Sequence, residues 1–189
     1  MKILIRELQL NEIITGEFDE IKTKEKPLIG SGASHKVYPS KKYPNIIYKI
    51  GGESSVDRWY ETFKRFPEFF PKVYKKGTTM IPYYDGKIRV SYVMLEKLET
   101  KTFEEFWDII DEYFEGDSLL TMLMQYEFTY DRLIKMGELI KNNEGEEIFR
   151  KYIELIKLVD AIIELVGSPD IHKYQFGYDS SGKLKCLDV

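Results

Sequence analysis

The sequence predicts an α+β fold, on three observations. The first half of the 189 residues reads as short strands with one helix among them. The second half reads as helices with apolar faces. The last stretch reads as a small hairpin. Strands first and helices after assign the sheet and the helices to separate parts of the chain.

Each element follows from its pattern. Residues 1–8 are apolar with partial alternation, and residues 27–29 lead into a Gly/Ser turn that residues 35–38 leave. Residues 45–50 form a compact apolar strand that stops at Gly51 and Gly52. Residues 54–66 read as a helix: Ser54 and Asp57 stand at capping-box spacing, and Pro67 is a stop signal. Residues 72–76 and 87–95 read as two further strands on either side of a turn around Pro82 and Gly86. Residues 102–114 then carry Phe103, Phe106, Trp107, Ile110 and Phe114 at helical spacing. Residues 119–140 read as a helix broken near 128–130. Residues 146–166 are the clearest helix. Its apolar face runs through Phe149, Tyr152, Ile153, Ile156, Val159, Ile163 and Val166, and Gly167 closes it. Residues 175–178 and 184–187 pair around the turn sequence 179–182. The natural boundary falls near Leu98 and Glu99. It gives a strand-rich part, 1–98, and a mainly helical part, 99–189.

Composition bounds the function. Hydrophobic residues make up 43% and aromatics 14%, enough for a core. A net charge of -4 disfavours a broad nucleic-acid surface, so no nucleic-acid partner is expected. The single cysteine, Cys186, excludes an internal disulfide, and with only His35 and His172 as histidines a Cys/His zinc site is not expected. Lys2, Arg6 and Glu7 are mixed into the apolar start, which lacks the uninterrupted apolar core of a signal peptide, and no stretch is long and uncharged enough to span a bilayer. A cytoplasmic location without a membrane partner is therefore expected.

Three segments carry chemistry. In Ile29-Gly30-Ser31-Gly32-Ala33-Ser34-His35, small residues between two strands let backbone amides approach a phosphate. An ordinary hairpin turn is the better account of Gly-x-Gly when it stands alone. Lys49 sits inside the apolar strand Ile46-Ile47-Tyr48-Lys49-Ile50, where a lysine is costly unless paired. A phosphate and a helix carboxylate would supply the partner, with Glu61 the first candidate and Asp57 the second. Thirdly, Asp170 follows the long helix, Gln175 lies five positions later at the mouth of the hairpin, and Asp188 ends its second strand. Two carboxylates and an amide oxygen converging there suit Mg²⁺, with a general base beside it. A solvated turn with scattered acids is the plainer alternative.

Taken together these segments resemble the protein-kinase-like superfamily, in its atypical, phage-type or aminoglycoside-phosphotransferase-like members more than its eukaryotic ones. The residues matching its pattern are Gly30 and Gly32 of the Gly-rich loop, Val37 after it, the strand lysine Lys49, the catalytic aspartate Asp170 and the metal-binding aspartate Asp188. The resemblance implies a two-lobed fold, with an antiparallel N-terminal sheet carrying one helix and a reduced helical C-terminal lobe. It implies that Leu95 is a gatekeeper and that Glu96 and Leu98 belong to a hinge that holds adenine. It also implies ATP and Mg²⁺ as cofactors, with Gly30, Ser31 and Gly32 over the phosphates. The departures are His35 for the third loop glycine, Ser168 for the catalytic-loop histidine and Gln175 for the metal-binding Asn. If the chain ends at Val189, one residue after Asp188, the resemblance implies a miniature second lobe.

The expected activity is phosphoryl transfer from ATP to a hydroxyl of a protein or small molecule. Lys49 would be held by Glu61, Asp188 and Gln175 would carry the metal, and Asp170 would act on the acceptor. The alternative is a pseudokinase that binds nucleotide, a partner protein, or both. Leu155, Leu158, Ile162 and Leu165 lie off the main apolar face of helix 146–166. Residues 119–140 or another chain must cover them, which leads to the expectation of a homodimer or protein partner on the C-terminal helices.

Overall fold

In the computed structural model, residues 30–31, 35–40, 43–83, 86–114, 126–167 and 173–188 are described. They divide into two compact units. One takes the described residues up to Arg65 together with Lys72–Lys97; the other takes Phe66–Pro71 and the described residues from Leu98 onward. The architecture is α+β, with an antiparallel five-stranded sheet, a two-stranded sheet and four α-helices among the described residues.

The first unit contains β1 (Gly30–Ser31), β2 (His35–Pro39), β3 (Ile46–Gly51), helix α1 (Glu53–Arg65), β4 (Val73–Tyr83) and β5 (Gly86–Glu96). The sheet order is β1-β2-β3-β5-β4, every neighbour antiparallel. β3 is the middle strand and is buried from Ile46 to Ile50, which explains its unbroken apolar run. Alternation sorts its side chains. Ile46, Tyr48 and Ile50 join Tyr38, Tyr92 and Met94 in one buried cluster. Ile47 and Lys49 lie on the other face, where Val56, Trp59 and Phe63 of α1 are buried.

Two local expectations shift. Helix α1 begins at Glu53, and the Val56 N–H bonds the Gly52 carbonyl, so the proposed capping box at Ser54 is not the start signal. Glu53 in the first turn complements the helix dipole instead, and the Asp57 carboxylate is engaged with Lys76. β4 and β5 run longer than expected, to Tyr83 and from Gly86, with Pro82 inside β4. β4 is an edge strand, where proline's missing N–H is tolerated.

The second unit contains α2 (Lys101–Asp111), α3 (Tyr126–Glu144), α4 (Glu146–Val166), a 3-10 turn (Lys173–Gln175), β6 (Phe176–Tyr178) and β7 (Leu184–Cys186). α3 runs without interruption through residues 128–130, where a break was expected, and residues 115–125 lie outside the described part. α4 spans the expected residues, and the Gly167 N–H bonds the Ile163 carbonyl. Its buried face differs from the expected one. Tyr152, Leu155, Leu158, Val159 and Ile162 are buried, whereas Val166 is exposed. The helix is apolar on several sides, so its sequence alone leaves the inward side open. The neighbouring α3 decides it: Leu133 and Ile140 are buried, and a Cβ on Gly137 would stand 3.2 Å from the Tyr152 ring and 3.3 Å from that of Phe149. The Tyr152 hydroxyl donates to the Leu133 carbonyl at 2.9 Å. Of the four residues expected to be covered by residues 119–140 or by another chain, Leu155, Leu158 and Ile162 are buried within this chain and Leu165 is half-buried.

The hairpin closes the unit. β6 and β7 pair in the register Phe176↔Cys186, and the Phe176 ring packs 5.4 Å from Phe103 of α2. The Asp179 carboxylate accepts bonds from the Ser181 N–H, the Ser181 hydroxyl and the Lys183 N–H, which shapes the turn. Glu99 and Tyr178 exchange both backbone bonds at 2.8 Å, and the Glu99 carboxylate accepts the Thr102 N–H at the start of α2. This bridge runs across Gly177, where a Cβ would come within 2.8 Å of the Glu99 carbonyl oxygen and of Leu98 Cβ.

Two outcomes are expected. Gly177→Ala should lower stability by about 1–3 kcal/mol, because backbone must move to admit the methyl. An unchanged urea midpoint would show that the bridge yields. The Asp179 carboxyl is held below its ordinary pKa: burial opposes the charge, but bonds from Ser181 and Lys183 and the nearby Lys185 outweigh it. A depressed folded pKa gives stability that is present above the unfolded value, about 3.9, and lost as pH falls through the folded value. Asp179→Asn should therefore flatten the loss of stability below about pH 4, and an identical acid profile for both proteins would contradict the assignment.

Candidate functional site

The sheet register places five residues in one row across the first unit: Gly30, Val37, Lys49, Val93 and Lys76. Directly opposed residues of antiparallel strands share a face, so Lys49 and Lys76 point to the same side with Val93 between them. Helix α1 lies on that side and treats the two lysines differently.

Lys49 is 2% exposed. Its Nζ lies 4.0 Å from the centroid of the Trp59 ring and 5.9 Å from that of Phe63. Trp59 is 1% exposed, and the His35 ring meets it edge-on at 5.4 Å with an interplanar angle of 82°. An ammonium over an indole face is attracted by the ring quadrupole, more strongly once both are removed from water. Lys76 is partly exposed. Its Nζ bonds Asp57 at 3.0 Å, lies 3.8 Å from Glu61 Oε1, and stands 4.7 Å from the Tyr60 ring centroid. The bond to Asp57 raises its pKa, against a smaller opposing effect of burial.

Glu61 and Asp57 are thus the partners of Lys76, and the helix turns Trp59 and Phe63 toward Lys49, where Glu61 was expected. The reason is helical geometry. Val56, Trp59 and Phe63 recur at spacings of three and four and form the buried stripe. Glu61, two residues past Trp59, is turned by roughly 200° from it, and its side chain is 71% exposed.

The other expected residues fall as follows. Gly30 and Ser31 form β1 and pair with Val37 and Lys36, while Gly32 lies outside the described residues. Leu95 is fully buried opposite Ile47, on the face that carries Lys49. The Glu96 N–H bonds the Lys72 carbonyl and the Lys97 N–H bonds the Asn45 carbonyl, both at 2.9 Å, so this stretch is tied on both sides. Leu98 is buried in the second unit.

In the second unit, the Leu187 N–H bonds the Gln175 carbonyl at 2.6 Å, which continues the hairpin one step beyond β6 and β7. The register sets Gln175 opposite Leu187, with Asp188 one residue further toward the open end, and Gln175 and Asp188 are both half-buried. Their carboxylate and amide oxygens are hard donors of the kind Mg²⁺ takes. Asp170, expected beside them, lies outside the described residues, as does Ser168. Among the described residues no group of three or more His, Cys, Asp or Glu side chains is placed to hold a metal.

Sequence reasoning passed over Lys185. It is 5% exposed in β7, and its Nζ donates to the carbonyls of Pro67 at 2.6 Å and Glu68 at 3.1 Å, with Asp179 Oδ2 at 3.7 Å. The Cys186 N–H bonds the Phe69 carbonyl at 2.8 Å. The stretch Phe66–Pro71 is thereby stitched to the hairpin. The signal was the one that marked Lys49: a lysine between apolar neighbours in a short strand, Leu184-Lys185-Cys186. Trp59 was legible only as part of an apolar stripe.

Neither a protein-family profile nor a curated protein sequence matches the chain. Among solved structures, one likeness is to the GDP complex of an aminoglycoside 2'-phosphotransferase-IIIa point mutant. It covers 97% of this chain and 74% of that one, at 10% identity and a TM-score of 0.32. At that level the likeness assigns neither a fold nor an activity to this chain. No helix among the described residues is long and apolar enough to cross a membrane.

The placement of Glu61 has a measurable consequence. Glu61→Gln should change stability by no more than about 1 kcal/mol, as expected for an exposed ion pair. Thermal unfolding of the variant checks this. A loss of several kcal/mol would mean that Glu61 reaches a buried cation after all.

Proposed function

We propose that the chain binds a nucleoside triphosphate and transfers its γ-phosphoryl group to a hydroxyl of a protein or small molecule. The observation that carries this reading is the buried ammonium of Lys49. It sits on the middle strand of the sheet, in one row with Gly30 and Val37 of the Gly/Ser hairpin. A lysine buried on an apolar strand beside amides able to approach a phosphate suits the charge of a polyphosphate.

In this reading Lys49 contacts the α- and β-phosphates, and the amides of Gly30, Ser31 and Gly32 cover them. Adenine takes the stretch from Leu95 to Leu98. Asp188 and Gln175 would hold Mg²⁺, which supplies neutralisation of phosphate charge when bound. Asp170 orients the acceptor hydroxyl and takes its proton. Such catalysis is positioning and electrostatics more than covalent chemistry, so few residues suffice.

A second reading, nucleotide binding without transfer, is favoured by the engagement of Glu61 with Lys76 at 3.8 Å. The carboxylate that should organise Lys49 in a phosphotransferase of this kind sits elsewhere.

Calorimetry with Mg²⁺–ATP tests the shared premise. Lys49→Met should weaken binding by about 10- to 150-fold, the equivalent of about 1.5–3 kcal/mol for a charge-assisted contact. No binding by the unaltered protein would overturn both readings. Phosphate transfer that disappears in Asp170→Ala supports the first; binding without any turnover supports the second.

A further inference from the structure

We propose that Trp59 is the positioning residue for Lys49: the face of its indole holds the ammonium in place on the sheet, the task that the family resemblance gives to a helix carboxylate. The inference rests on the reading of Lys49 as the phosphate-contacting cation, and it assigns the support of that cation to a residue outside the family pattern.

Four observations converge. The Lys49 Nζ stands 4.0 Å from the Trp59 ring centroid, well inside the range of about 6 Å for an effective cation–π contact. Both residues are at least 98% buried, so water screens the attraction little. The ring itself is fixed, since it belongs to the buried stripe of α1 and takes the edge of His35 at 5.4 Å. The fourth observation concerns choice of residue. The Trp59 Nε1 is buried without a hydrogen-bond partner among the described residues. A buried indole N–H normally finds an acceptor, and leaving it without one is unfavourable. Were the position required only to fill space, phenylalanine would fill most of it with no such cost. Among aromatic side chains, tryptophan presents the best face to a cation. The lone donor is therefore tolerated where the strongest π face is needed.

His35 enters the same argument. It stands where the resemblance expects the third glycine of the loop, and its ring meets the Trp59 ring in a T-shaped contact. The histidine of the hairpin thus packs against the indole that stands over Lys49, while Glu61 lies on another side of the helix.

The test has an arm without nucleotide and an arm with it. Without nucleotide, Lys49→Met and Trp59→Leu are combined in a double-mutant cycle read by urea unfolding. The double variant is expected to lose clearly less than the two single losses added together. Tryptophan emission gives a second reading on folded protein. The chain has two tryptophans, so in a Trp107→Phe background Lys49→Met should shift the emission of Trp59, because a charge leaves its ring face. Additive stabilities together with an unshifted spectrum would sink the proposal. With Mg²⁺–ATP, affinity should fall in the order wild type, Trp59→Phe, Trp59→Leu. Trp59→Leu should have no further effect once Lys49 is Met. Equal affinities for Trp59→Phe and Trp59→Leu would overturn the role of the π face. If the unaltered protein binds no nucleotide, the functional reading falls, and the nucleotide-free cycle alone decides whether Trp59 holds Lys49.

Discussion

Burying the ammonium of Lys49 is the constraint around which the first unit is arranged. An unpaired charge in an apolar interior is costly enough that the surroundings must answer it. The answer visible in this chain includes a π face: Trp59 lies over the ammonium at 4.0 Å and Phe63 stands behind at 5.9 Å. The buried stripe of α1, Val56, Trp59 and Phe63, sets the side that meets the sheet and places these rings at the lysine. Once Trp59 and Phe63 face Lys49, Glu61 and Asp57 turn away and find the second lysine of the row, Lys76. The helix thus serves two cations two strands apart, one buried and met by aromatic rings, one at the edge strand and met by carboxylates. Screening by water makes the second arrangement worth little to stability and leaves the first as the one that matters.

The second unit repeats the theme with a different solution. Lys185 is almost as buried as Lys49, but its ammonium is satisfied by the carbonyls of Pro67 and Glu68 and by the nearby Asp179. Hydrogen bonds to carbonyls direct the charge and at the same time order the stretch that supplies them. For this reason Phe66–Pro71, which in sequence lies between α1 and β4, belongs with the helices and the hairpin. The same hairpin carries Gln175 and Asp188 near its open end, where the Leu187 N–H bonds the Gln175 carbonyl one step beyond the strands.

Much of this was legible in the sequence. The strand 46–50, the helix Glu146–Val166 and the hairpin around residues 179–182 appear where periodicity and turn residues put them, because each depends on neighbours close in the chain. The conspicuous position of Lys49 was also legible, since a lysine in an apolar run is a local anomaly. Its partner was not. Glu61 and Asp57 were chosen for charge, and charge alone does not say which way a helix is turned. In the same way the apolar residues of α4 exceed what one face needs, and the face that packs was set by the close approach of α3 at Gly137.

The sequence by itself therefore determined the α+β class, the order of the elements and the residues whose chemistry demands an explanation. The tertiary structure alone decided which side chain answers each buried charge, that Phe66–Pro71 joins the second unit, and which side of each helix faces inward. The physical reason is one of range. Secondary structure follows from periodicity and turn chemistry within about ten residues. The environment of a buried ammonium depends on side chains that only packing brings to it: Trp59 from a helix for Lys49, and the Pro67 and Glu68 carbonyls from more than a hundred residues upstream for Lys185.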